Sequence, residues 1–104
     1  MAPSIRPGLG VDQVVGGRRE ALFRLLRTYG ARDIRVFGSV ARGTATRHSD
    51  LDLLVRFHRP IGLLRRIELT ERVQALVGRE VDLATEDSLF WLSKPQILAE
   101  AVPL

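Results

Sequence analysis

Two aspartates, Asp50 and Asp52, stand at i and i+2 in the run Ser49-Asp50-Leu51-Asp52-Leu53-Leu54-Val55-Arg56-Phe57. In a β-strand such positions point to the same face, which makes the two carboxylates neighbours. Two unit charges about 4 Å apart repel by about 4 kcal/mol at an effective dielectric near 20. A divalent cation turns that repulsion into a binding site. Upstream lies Phe37-Gly38-Ser39-Val40-Ala41-Arg42-Gly43, a Gly-Ser turn after a short apolar run. Gly38 lets backbone approach a phosphate with no Cβ in the way, and the Ser39 hydroxyl and nearby backbone N–H groups can donate to phosphate oxygens. A third acid, Asp82, lies in Glu80-Val81-Asp82-Leu83-Ala84. Three carboxylates on one sheet face beside such a turn suit metal-assisted phosphoryl chemistry, because magnesium takes oxygen ligands, commonly one or two carboxylates together with substrate phosphates.

The elements that must position these residues follow from periodicity. Leu22, Leu25, Leu26 and Tyr29 fall on one stripe of a helix spanning Arg18 to Tyr29, with Gly30 at its stop. Asp12 is a candidate cap for an earlier helix weakened by Gly16-Gly17. Ile34 to Phe37 reads as a short strand, then a turn with one helical turn near Val40–Arg42, then a polar loop. Leu51 to Phe57 is the clearest strand: Leu51, Leu53, Val55 and Phe57 face helices, while Asp52, Leu54 and Arg56 face an open side. A second helix is predicted from Leu63 to Val77, with Leu69, Val73, Leu76 and Val77 as its stripe, Leu63 and Ile67 flanking, and Gly78 as its end. In a third strand, Glu80 to Ala84, Val81 and Leu83 face the core, so Asp82 shares the side of Asp50 and Asp52. Whether the two strands are neighbours is open at this level. The remainder reads as helices over Asp87–Ser93 and Pro95–Ala101, with Pro95 in a first turn. Leu89, Phe90 and Trp91 are read as core ahead of the alternative, an anchor for a partner, and Ile97, Leu98, Ala101, Val102 and Leu104 as core. Residues 1–10 read as a flexible tail, and 11–104 as one domain.

Composition bounds the rest. The 104 residues are 45% hydrophobic and 27% charged, as in ordinary globular domains. No apolar run reaches the roughly 20 residues that span a bilayer, and no signal-peptide core is present near Met1, so no membrane role is expected. The lack of cysteine excludes disulfides and thiolate metal sites and fits the cytoplasm. The net charge of +4 invites a nucleic-acid reading, but fifteen of sixteen basic residues are Arg, spread along the chain without interleaved aromatics. Direct nucleic-acid binding is therefore not expected. His48 and His58 read as loop residues.

Gly38-Ser39, ten residues, then Asp50-x-Asp52 with the later Asp82, resembles the nucleotidyltransferase superfamily that includes DNA polymerase β. More narrowly, the run from Phe37 to Val55 is similar to the minimal nucleotidyltransferase (MNT) domains. The resemblance covers about Arg18 to Val102, and its motif residues show no departure. It implies an α/β (α+β) fold, a small mixed sheet with helices packed on one face. It further implies two Mg²⁺ ions held by Asp50 and Asp52, with Asp82 completing one site and helping to deprotonate an attacking hydroxyl. Gly38 and Ser39 would grip the β- and γ-phosphates of ATP. Arg42 is a candidate phosphate contact, and Ser49 a turn hydroxyl that positions Asp50. Single-domain MNT proteins are typically antitoxins that transfer AMP to a tyrosine of a HEPN ribonuclease toxin, so such a toxin is the expected partner in a heteromeric complex. The alternatives are an idle MNT module that inhibits by binding alone, or an enzyme adenylylating a small molecule such as an aminoglycoside; a polymerase would want template-binding domains.

Overall fold

In the computed structural model, which describes residues 8–104, a four-stranded sheet of order β3-β2-β1-β4 carries the chain. Helix α1 (Val11–Val15) is capped by Gly10, whose N–H donates to Gln13 Oε1 at 2.9 Å. Asp12, expected to be the cap, instead pairs with Arg19 at 2.7 Å. A 3₁₀ turn at Gly16–Arg18 leads into α2 (Arg19–Thr28), which buries Leu22 and Leu26 completely. The tail expected over residues 1–10 lies outside the described residues up to Pro7; Leu9, just beyond, bridges Ala45.

Strand β1 spans Ala31–Phe37, three residues longer than its apolar alternation indicates. The cause is local. Asp33 takes a left-handed φ of 51° and the register with β2 shifts between Arg32 and Arg35, so strict alternation begins only at Ile34. After α3 (Gly38–Arg42) and a loop, β2 (Leu51–Phe57) returns antiparallel to β1, with Phe37 opposite Asp52. Helix α4 (Leu63–Val77) crosses over to β3 (Val81–Ala84), which pairs parallel to β2. Gly78 ends α4 in the left-handed conformation, φ 73°. β2 and α4 have the bounds that the sequence pattern dictates.

Helices α1, α2 and α4 cover one face. Val15, Leu22, Leu26, Val36, Leu51, Leu53, Leu69 and Val73 form the main core there, all excluded from solvent. Leu63 and Ile67, expected to flank this core, are exposed at the start of α4. The opposite face is less open than expected. The segment Asp87–Ser93 is not an α-helix: a 3₁₀ turn at Glu86–Ser88 is followed by an irregular stretch, leaving Phe90 and Trp91 exposed rather than in the core. Helix α5 (Lys94–Glu100) then lays Ile97 and Leu98 over a second cluster of Phe37, Leu54 and Ala84. Leu54 is thereby fully buried, where the strand alternation alone puts it on an open face. A short β4 (Val102–Pro103), absent from the sequence reading, pairs antiparallel to β1 and anchors the end of α5. Leu104 is buried, as expected, and Val102 is exposed.

These burials set a contrast in stability. Leu53→Ala should cost about 2–5 kcal/mol in denaturant unfolding, through lost transfer energy and a cavity. Leu63→Ala should stay within about 0.5 kcal/mol.

Candidate functional site

The two acidic strands lie side by side. Asp52 of β2 is the direct register partner of Asp82 of β3, and both sit on the face away from the main core. Their adjacency is the fact that alternation could not supply. Asp50 precedes β2 and is exposed; Asp82 is exposed as well, and Asp52 is partly buried. The carboxyl of Asp52 is pushed up to about 6, first by burial and then by the negative charges of Asp82 and Asp50, with Glu100 adding to the push and Arg42 opposing it. Among the described residues, no three acidic, histidine or cysteine side chains are drawn into a ready-made metal cluster.

Gly38 lies directly under Asp52. Its φ is 73°, and a Cβ built there would stand 2.1 Å from Asp52 Oδ2. Two separate constraints therefore exclude a side chain: the left-handed backbone and the carboxylate above it. Ser39 follows within α3, where its carbonyl accepts from the Thr44 N–H at 2.9 Å. Arg42, in the last turn of α3, is exposed, and its guanidinium meets Glu100 of α5. Ser49 stays in its own loop: its Oγ accepts from the Thr46 N–H at 2.8 Å, and its carbonyl accepts from Arg79 at 2.9 Å. That turn fixes the chain immediately before Asp50.

One participant was missed. Glu100, the last residue of α5, accepts the Gly38 N–H at Oε1 (3.0 Å) and pairs with Arg42 Nη1 at 3.2 and 3.0 Å. A signal existed in the sequence: Glu100 follows Ile97 by three residues, so it shares the sheet-facing side of that helix. No motif marked it. His48 and His58 lie outside this constellation; the His58 ring contacts Arg32.

Acids from two adjacent strands beside a glycine turn, on a small mixed sheet backed by helices, define a domain of the nucleotidyl-transfer class. The chain belongs to the nucleotidyltransferase domain family, whose model matches residues 19–104. It is 48% identical over 65 residues to the protein adenylyltransferase MntA of Thermococcus cleftensis, covering 62% of this chain and 66% of that relative. The chain thus spans just under two thirds of that protein's length. A solved structure described as a candidate minimal nucleotidyltransferase superposes with a TM-score of 0.73 at 46% identity, over 84% of this chain and 89% of the other. A crystal structure of a toxin–antitoxin with AMP-PNP matches with a TM-score of 0.70 at 26% identity, over 81% and 69%. The mixed-sheet fold expected from the resemblance is the fold observed.

Two outcomes follow from the geometry. Gly38→Ala should lose at least about 1–2 kcal/mol from the left-handed backbone alone, with a further cost from displacing Asp52, as read by thermal unfolding. Asp52→Asn should do the opposite. The folded state holds the Asp52 carboxyl at about 6, above its ordinary value, so it favours the proton and is destabilised as pH rises through about 4 to 6. Because the side chain is half exposed, the gain from removing its charge should be discounted to about 1 kcal/mol. In metal-free buffer, unfolding midpoints of wild type and Asp52→Asn should converge near pH 4, separate as pH rises from about 4 to 6, and keep a constant gap above pH 6.

Proposed function

We propose that this chain is a Mg²⁺-dependent protein adenylyltransferase that moves AMP from ATP to a tyrosine of an all-helical HEPN-type toxin and so neutralises it. The domain extends over residues 11–104 and works in the cytoplasm. The observation that carries the reading is the pairing of Asp52, which lies directly above Gly38, with Asp82 of the neighbouring strand. The name of the Thermococcus cleftensis relative and the toxin–antitoxin structure with AMP-PNP support it. No helix of the described residues is long and apolar enough to cross a membrane.

Asp50, Asp52 and Asp82 offer the hard carboxylate oxygens that Mg²⁺ prefers, and the Asp52 carboxyl is raised first by burial and then by the negative charges of Asp82 and Asp50. Asp50 and Asp52 would hold the two ions, and Asp82 would complete the site of one. When bound, Mg²⁺ neutralises charge on the phosphates and on the departing pyrophosphate. The protein's own residues do the rest. Gly38 brings backbone against the β- and γ-phosphates, the Ser39 hydroxyl donates to them, and Arg42 supplies a positive charge within the same turn. Ser49 holds the loop that presents Asp50. Asp82 takes the proton from the acceptor hydroxyl as its oxygen bonds to the α-phosphorus. The α–β phosphoanhydride bond breaks, and pyrophosphate leaves with the electron pair. Catalysis here is positioning and charge complementarity. On the acceptor tyrosine the new phosphodiester places a bulky anion where RNA would enter.

Incubation with Mg²⁺, α-labelled ATP and a cognate toxin should place label on the toxin. Asp50→Asn with Asp52→Asn should abolish it while circular dichroism stays unchanged, and Asp82→Asn should slow transfer by about 10²-fold or more. Full neutralisation in cells by the double variant would instead favour inhibition by binding alone. Label on an aminoglycoside and none on a toxin would favour the small-molecule reading.

A further inference from the structure

The contacts of Glu100 resemble those an anionic ligand would make. Its carboxylate takes the Gly38 N–H at 3.0 Å and both oxygens engage Arg42. These are the same two donors assigned above to the triphosphate. The carboxylate is also well shielded, with 19% of the side chain exposed against 50% for Arg42. It is held there by its helix: Ile97, Leu98 and Ala101 pack on Phe37, Leu54 and Ala84, and β4 fastens the following residues to β1. Placing a fourth acid beside Asp50, Asp52 and Asp82 worsens the electrostatics of the acidic site, so charge repulsion does not explain its position. Its two donors do.

We propose that Glu100 is a resident stand-in for phosphate, occupying the triphosphate grip of Gly38 and Arg42 and leaving it when nucleotide binds. This rests on the reading of residues 38–42 as that grip. Glu100 touches neither the acceptor nor the α-phosphorus; it sets how tightly the phosphates are held. A triphosphate must displace two charge-assisted contacts and overcome the repulsion of a carboxylate within the site. Nucleotide affinity is therefore held below what the donors alone would give. Release of Glu100 also frees the end of α5, so occupancy of the site is felt by the helix that covers the second cluster.

The test is calorimetric titration of wild type, Glu100→Gln and Glu100→Asp with Mg²⁺–AMP-PNP, and separately with inorganic tripolyphosphate. Glu100→Gln keeps the shape and removes the charge, and should tighten both ligands by about tenfold, the effect of losing one competing charge-assisted contact. Glu100→Asp draws the carboxylate back and should give a smaller gain of the same sign. Adenosine, lacking phosphates, should show no gain. In transfer assays the change should fall on KM for ATP and leave kcat within about twofold. Unchanged or weaker binding by Glu100→Gln, with wild type still binding, would overturn the proposal and leave Glu100 an ordinary ion pair or a metal-site acid. Failure of every variant and of wild type to bind either ligand would instead remove the nucleotidyltransfer reading itself. Thermal unfolding of each variant separates these results from loss of fold.

Discussion

The carboxylate of Asp52 rests on the backbone of Gly38, and that contact ties the motif into one mechanical unit. β1 ends at Phe37, which pairs with Asp52 across the antiparallel ladder. The chain must turn at the next residue, directly beneath the acid. A left-handed turn with an aspartate 2.1 Å from any Cβ admits glycine alone. The loop that follows must bring the chain back in register, and Thr46, Ser49 and Arg79 fasten its return. The spacing between the Gly-Ser turn and the acid pair is thus the length of one helical turn plus a closed loop. Glycine and aspartate are coupled by geometry before any ligand arrives.

The same contact concentrates negative charge. Asp52 is flanked by Asp82 from the neighbouring strand, Asp50 from the preceding turn and Glu100 from α5, with Arg42 as the opposing charge. A fold selected only for stability would not hold a half-buried carboxylate there. The main core carries the cost, since Leu51 and Leu53 alternate with Asp52 on the same strand and are fully buried. The main core lies on one face of β2 and the acidic cluster on the other.

Alternation and helical stripes made much of this legible. β2 and α4 were legible because Leu51, Leu53, Val55 and Phe57 share one strand face and Leu69, Val73 and Val77 fall on one helical face. The side on which Asp82 lies followed from the parity of Val81 and Leu83. Its pairing with Asp52 did not, because a parallel contact across a 15-residue helix is non-local. Periodicity says which residues share a face and not what covers that face. That is why Leu54 was placed on an open side when α5 buries it, and why Phe90 and Trp91 were placed inside when the chain leaves them out. β4, at two residues, is too short to carry any period, and Glu100 was hidden because its partners lie 62 and 58 positions away.

Helix α5 divides the second face of the sheet into two electrostatic regions. At one end stand the acids and Gly38. At the other, Arg35, Arg56, Arg66 and Lys94 line a cavity of about 580 Å³ together with Glu86 and Asp87. Several of the arginines are engaged within the molecule: Arg35 pairs with Glu86 at 2.7 Å, Arg19 with Asp12 at 2.7 Å, and Arg66 donates to the Leu83 carbonyl at 2.7 Å. Arginine serves here as a planar fork that ties strands to turns, a role lysine fills poorly. Because Lys94 opens α5 at the basic cavity and Glu100 closes it at the acidic site, the seven residues of this helix fix the separation between the two regions. Its apolar contacts with Phe37, Leu54 and Ala84 are what keep that separation constant.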